Sequence, residues 1–159
     1  WSNPNNADAK GKSKHRTSQH AVEQDAQKGK GATLNGQQII VSPIANLKES
    51  LLVTGFAYDV GHSNNDNLNH FSNFTKKCQA VRRPGSAALD LVYTAMGRFE
   101  GFWELKLHTW DMAAGQLIVK EAGGKITEPS GNQWSLKSKD ILASNSILHD
   151  VIQKKLNVS

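Results

Sequence analysis

From Gln37 to Leu156 the chain alternates short β-type runs with helical ones, and glycine or proline marks most of the joints. Strands separated by helices close into a layered α/β fold rather than a helical bundle or an all-β sandwich. Asn35-Gly36 is a two-residue turn signal, so Lys28–Val41 reads as a hairpin. Leu51-Leu-Val-Thr54, closed by Gly55, reads as a buried strand. Asn64–Lys77 spaces Leu68, Phe71 and Phe74 as an amphipathic helix does. Pro84-Gly85 breaks the extended Ala80–Arg83, Ser86 can cap, and Ala87–Met96 forms a helix that Gly97 stops. Alternation over Phe102–Leu107 puts Trp103, Leu105 and Leu107 on one face and Glu104, Lys106 and His108 on the other. Thr109 is the expected N-cap of the next helix, whose apolar face is traced by Trp110, Ala113, Ala114, Leu117 and Ile118 up to Gly123-Gly124. Strands at Lys125–Thr127 and Ile141–Ala143 and a helix from Ser146 to Leu156 complete the pattern.

The 25 residues before this region have a different character. Asn, Ser and Lys dominate from Trp1 to Ala21 and Trp1 is the only large apolar side chain there, so residues 1–25 are expected to form a disordered or unrelated tail and 26–159 the folded α/β region. Residues 1–30 hold six Lys/Arg and three Asp/Glu, a net of +3 out of the formal +5, leaving 13 against 11 in the rest. A near-neutral folded region argues against a nucleic-acid partner. No apolar run reaches the roughly 18 residues of a membrane span, which argues against a membrane partner. Cys78, the single cysteine, excludes an intramolecular disulfide and suits a cytoplasmic location.

Chemistry concentrates at one strand-to-helix junction. Strand alternation puts Glu104 and His108 on one face, and Asp111 falls in the first turn of the helix that follows. Such a junction offers free N–H groups and positive potential to phosphate, while carboxylates beside it can ligate a hard cation such as Mg²⁺. A second cluster, Pro84-Gly-Ser-Ala-Ala88, opens a helix with small residues that let a ligand approach the backbone. Each feature also has a plain structural reading. Small residues at a helix start serve close packing, Asp111 complements the helix dipole, His108 caps or faces solvent, and Lys76, Lys77, Arg82 and Arg83 are solvated charges.

The junction itself carries a longer pattern. Trp110-Asp-Met-Ala-Ala-Gly-Gln-Leu-Ile-Val-Lys-Glu-Ala-Gly-Gly124 resembles the C-terminal signature of the inositol monophosphatase family. Arg83-Pro-Gly-Ser-Ala-Ala-Leu89, Gly97-Arg98 leading to Gly101-Phe-Trp-Glu104, Gly29-Lys-Gly-Ala-Thr-Leu-Asn-Gly36 and Ala143-Ser-Asn145 follow the family's order. The likeness covers about residues 26–157 and corresponds to the C-terminal half of a typical member. It implies the C-terminal part of a layered α/β/α/β/α sugar-phosphatase fold, Mg²⁺-dependent hydrolysis of phosphate monoesters, and a homodimer. It also implies that Asp111 is a metal ligand and catalytic group, and that Glu104, Gly85, Ser86, Ala87 and the neighbouring His108 contact substrate.

The family's remaining ligands, an upstream Glu and a loop of the form Asp-Pro-(Ile/Leu)-Asp-Gly-(Thr/Ser), have no counterpart in the chain, which contains no Asp-Gly dipeptide. The expected function is therefore that of an inositol 1-phosphate or related polyol-phosphate hydrolase, incomplete as it stands. The alternative is an inactive fragment that binds a partner or a second copy of itself.

Overall fold

The computed structural model describes residues 13–17 and 22–157. Four antiparallel strands come first in the chain: β1 (Ser13–Thr17), β2 (Val22–Ala26), β3 (Ala32–Leu34) and β4 (Gln37–Ile39), which lie side by side in that order. The expected hairpin is β3–β4, and Asn35 and Gly36 both take positive φ (50° and 79°), as the tight primed turn between twisted strands requires. The tail expected over 1–25 meets two strands, β1 and β2, which pair residue by residue from Ser13 opposite Ala26 to Thr17 opposite Val22. Within that stretch, residues 1–12 and 18–21 lie outside the described residues.

The rest of the chain builds a second sheet from β5 (Leu51–Thr54), α1 (Leu68–Thr75), β6 (Ala80–Arg82), α2 (Ala87–Ala95), β7 (Gly101–Glu104), α3 (Thr109–Glu121), β8 (Lys125–Thr127), β9 (Ile141–Ser144) and α4 (His149–Leu156). Its strand order is β6-β5-β7-β9-β8. β5 runs parallel to both neighbours, whereas β9 runs antiparallel to β7 and β8.

Alternation along three central strands divides the core in two. Val53, Phe102, Ile141 and Ala143 face α2 and α3, joining Leu91, Val92, Met112, Ile118 and Val119 and reaching Ala26 and Ala32 of the first sheet. Leu52, Trp103 and Leu142 face the other way, onto Phe74 of α1 and Ile152 and Leu156 of α4. The layers run first sheet, α2 with α3, second sheet, α1 with α4. Phe102 and Trp103 are consecutive and both fully buried, because helices cover both faces of this sheet.

Two local expectations are corrected. β7 ends at Glu104 rather than continuing to Leu107, and Lys106 turns the chain with φ of 59°. Glu104 and His108 therefore do not share a strand face. In α3 the buried residues are Met112, Gly115, Ile118 and Val119, while Trp110 is 70% exposed. Gly115 marks the inner face because α2 comes so close that a Cβ there would meet Leu91 Cβ at 2.6 Å. A periodicity count based on apolar side chains passes over a glycine.

Candidate active site

The C-terminal end of β7 lies between the starts of α2 and α3, and a fourth piece, the segment after β5, closes over it. A buried hydrogen-bond relay holds that segment in place. Thr54 Oγ1 donates to the Trp103 carbonyl at 2.5 Å. Asn67 Nδ2 donates to Thr54 Oγ1 (2.9 Å) and the Gly55 carbonyl (2.8 Å), and Trp103 Nε1 donates to Asn67 Oδ1 at 2.7 Å. Asn67 itself has φ of 68°, a left-handed conformation that asparagine tolerates better than most residues. Gly55 is thereby pressed against the end of β7: a Cβ at this position would collide with the carboxyl group of Glu104.

Further along, the Arg83 guanidinium sits 4.9 Å from the centre of the Phe56 ring. Lys106 Nζ reaches Asp59 Oδ2 at 2.8 Å and Ser63 Oγ at 2.6 Å, while its backbone N–H donates to Asp140 Oδ1 at 2.9 Å. These contacts tie the 55–63 loop to the turn that carries the chain from β7 into α3.

At the start of α3 the N-cap is His108 rather than Thr109, whose hydroxyl donates to the Leu136 carbonyl at 2.9 Å. Asp111 Oδ2 accepts from the His108 backbone N–H at 3.0 Å, so one oxygen of this carboxylate closes the helix end. The exposed imidazole of His108 stacks on the Trp110 ring at 4.4 Å and 14°. At α2, Gly85 has φ of 91°, which favours glycine, and Ser86 Oγ accepts from Leu89 N–H at 3.5 Å as the expected cap. Ala87 opens the helix behind it.

Glu104 is where these pieces meet electrostatically. Burial raises its carboxyl to about 7, with the Asp90 and Asp111 charges adding to the rise and Arg83 opposing it. Asp90 is fully buried in α2, neither of its carboxylate oxygens has a hydrogen-bond partner, and burial raises it also to about 7. Of the residues picked out from the sequence, Glu104 and Asp111 lie near enough for their charges to interact, and Gly85, Ser86 and Ala87 form the start of the helix that carries Asp90, whose charge Glu104 also feels. His108 is placed at the rim by its ring and against Asp111 by its backbone. Asp90, Arg83, Gly55 and Phe56 were not anticipated as neighbours of Glu104. A single acid in the otherwise apolar run Ala87-Ala-Leu-Asp-Leu-Val92 is a signal that could have identified Asp90.

Among the described residues, no group of three or more His, Cys, Asp or Glu side chains is arranged to hold a metal ion. Asp111 offers one carboxylate, with one oxygen already engaged. Mg²⁺ demands near-octahedral oxygen ligation, so these residues do not fit a Mg²⁺ centre by themselves.

Known proteins resemble this chain over most of its length. The model of the inositol monophosphatase family matches residues 21–158. An inositol-1-monophosphatase of Synechocystis is 46% identical over 126 residues, covering 79% of this chain and 44% of the relative. The Nus factor SuhB of Pseudomonas aeruginosa is 42% identical over 142 residues, covering 86% of this chain and 52% of the relative. The solved structure of an inositol monophosphatase from Anabaena superposes with a TM-score of 0.83 at 42% identity, over 86% of this chain and 54% of that one. The chain thus spans about half the length of these relatives.

Proposed function

Because the chain belongs to the inositol monophosphatase family, we propose that it supplies the substrate-recognition half of a phosphate-monoester hydrolase whose substrate is inositol 1-phosphate or a related polyol phosphate. The observation that carries this reading is the convergence of Glu104, the Gly85–Ala87 helix start and Asp111 at one sheet end. In the proposed roles, Glu104 accepts hydrogen bonds from adjacent hydroxyls of the polyol. Gly85, Ser86 and Ala87 let the ring approach the backbone, because the space beside Gly85 is open and the side chains that follow are small. His108, held at the rim by stacking on Trp110, lines the entrance. Asp111 is the single arm that this half contributes to a Mg²⁺ site, and the other ligands are proposed to come from polypeptide equivalent to the relatives' N-terminal half. When bound there, Mg²⁺ would supply Lewis-acid stabilisation of the phosphate and a more acidic water. A homodimer and a cytoplasmic location, suggested by the family and by the lone cysteine, are part of the same proposal.

Fusion of residues 26–159 to the N-terminal part of the Synechocystis relative tests it. Mg²⁺-dependent release of phosphate from inositol 1-phosphate by the folded fusion is the expected outcome. A folded fusion without turnover on any phosphate monoester would overturn the reading.

A second reading is that this half acts only as a partner-binding or self-associating module. The similarity to a Nus factor and the exposed Trp110 and Leu136 (70% and 58%) beside the candidate site favour it. In that case the fusion would be inactive while the chain alone formed a stable complex.

A further inference from the structure

The face of the second sheet away from α2 and α3 carries α1 and α4, and between these two helices lies a cleft of about 800 Å³ that the proposed chemistry does not use. That volume is in the range of small-molecule sites, roughly 300–1,000 Å³. Six of the ten residues around it are asparagine, where a merely solvated surface would carry lysine and glutamate, and the six fall into two groups. Three are fixed by the fold. Asn67 is buried in the Trp103 relay, Asn73 Nδ2 reaches the Lys155 carbonyl at 3.4 Å and so joins α1 to α4, and Asn157 Nδ2 donates to the Pro129 and Gln153 carbonyls at 2.7 Å each. The other three, Asn64, Asn65 and Asn69, are exposed, and among the described residues their side chains have no hydrogen-bond partner. A fixed frame thus presents three amides, each with unspent donors and an unspent acceptor.

The charges around the cleft balance. Lys77 Nζ donates to Asn73 Oδ1, and Asp66 Oδ1 accepts from the Leu68 backbone N–H at 2.9 Å, so one cation stands against one anion. Burial holds the half-buried His70 imidazole below its ordinary value, with the Asp66 charge opposing, so near neutral pH the ring is uncharged and offers one donor and one acceptor. Leu156, 5% exposed, is the apolar part of the wall. Amides that both donate and accept, with no net charge, suit a neutral ligand with adjacent hydroxyls, because one amide can donate to one hydroxyl and accept from the next. A phosphate anion would find its one lysine offset by an aspartate. We propose that the α1–α4 cleft is a second binding site, apart from Glu104, for an uncharged polyol or monosaccharide held by Asn64, Asn65, Asn69 and His70. A role in taking up the polyol released by hydrolysis rests on the phosphatase reading, whereas the binding itself does not.

The test uses the full 159-residue chain without substrate or metal, and myo-inositol as the probe. Proton–nitrogen NMR of side-chain amides should show saturating shifts at Asn64, Asn65 and Asn69 with a midpoint of about 1–10 mM, the affinity of a few amide–hydroxyl bonds at a wet site. Asn69→Leu, on the exposed side of α1, should raise that midpoint about tenfold, and Asn64→Ala, in the preceding loop, should raise it in the same direction. The Asn67 amide, enclosed in the relay, should keep its position in both variants and so report that the fold is intact. Shifts that rise linearly without saturating, that inorganic phosphate reproduces, or that are confined to the Glu104 side of the sheet would overturn the proposal. A midpoint unmoved in both variants would overturn it too. Because no turnover is needed, saturable binding at the cleft of a chain whose fusion is inactive would sink the phosphatase reading alone. An active fusion whose cleft binds no myo-inositol would sink this proposal alone.

Discussion

At the scale of single residues, the candidate site depends on what is missing from Gly55 as much as on what Glu104 carries. The Glu104 carboxyl occupies the space that any side chain at position 55 would need. Gly55→Ala should therefore displace Glu104 without removing it, and Glu104→Gln should leave the group in place without its charge. In an active fusion both are expected to raise KM for inositol 1-phosphate by about tenfold, the effect of losing one charged hydrogen bond of roughly 1.4 kcal/mol or more. Neither should raise KM for 4-nitrophenyl phosphate, which has no hydroxyl for Glu104 to accept from. Equal effects on both substrates would make Glu104 a structural group. Glu104 was legible in the sequence because a family motif runs through it. Gly55 was legible only as the end of a strand, since its closeness to Glu104 arises from strand pairing of β5 with β7 and from the Asn67 relay, neither of which is a local property.

Elements were readable wherever local signals and tertiary packing agree. The Ser86 cap and Gly97 stop gave α2 to within a residue, and the Asn35-Gly36 turn placed the β3–β4 hairpin, whose strands are shorter than the expected Lys28–Val41. β7 was overextended because its end is set by Lys106, whose left-handed backbone is held by Asp59, Ser63 and Asp140 from distant parts of the chain. The start of α4 holds a residue whose role no pattern announced. His149 is 1% exposed between β9 and β8, with Nδ1 2.8 Å from Ser144 Oγ and Nε2 3.0 Å from Thr127 Oγ1. Thr127 spends its proton on the Glu128 carbonyl, so Nε2 must donate to Thr127 and Nδ1 must accept from Ser144. Burial lowers this histidine to about 4, with Lys125 adding to the fall and Asp150 opposing it. Above about pH 6.5 the ring is neutral in both folded and unfolded chains and does not affect stability. As pH falls from there toward 4, the unfolded chain takes up a proton that the folded chain refuses, and stability is lost by up to about 3 kcal/mol. Chemical denaturation at pH 7.5 and pH 5 should show this loss, and His149→Gln should remove much of the difference. An equal pH dependence in the variant would place the acid sensitivity elsewhere.

At the scale of the whole molecule, the layers explain both why this half can hold its shape and why it should not turn over substrate by itself. Trp103, Phe102 and Leu52 are fully buried between helices on both faces, so the second sheet does not rely on other polypeptide to cover its core. Trp103 also donates to Asn67, and Trp103→Ala should cost about 3–5 kcal/mol, a large share of a small domain's stability. The candidate site is a different matter. It gathers Asp90, Glu104 and Asp111 with Arg83 as the one cation felt by Glu104, and a phosphate dianion brought to such a place would add like charge to like. The start of α3 favours an anion, but only by about 0.3–1 kcal/mol where exposed. A single half-engaged carboxylate cannot gather the cation that would reverse the balance, because Mg²⁺ surrenders its waters only to clustered oxygen ligands. The chain alone is therefore expected to release phosphate from inositol 1-phosphate at the rate of a buffer blank in millimolar Mg²⁺. In the fusion, Asp111→Asn should keep the helix cap, since the amide oxygen still accepts from His108, while reducing turnover by at least about 100-fold through loss of the charged arm. Circular dichroism and melting of that variant should match the parent, separating loss of chemistry from loss of fold. Robust Mg²⁺-dependent turnover by the chain alone, or a fully active Asp111→Asn fusion, would show that the charge balance of this site is met by residues other than those assigned to it.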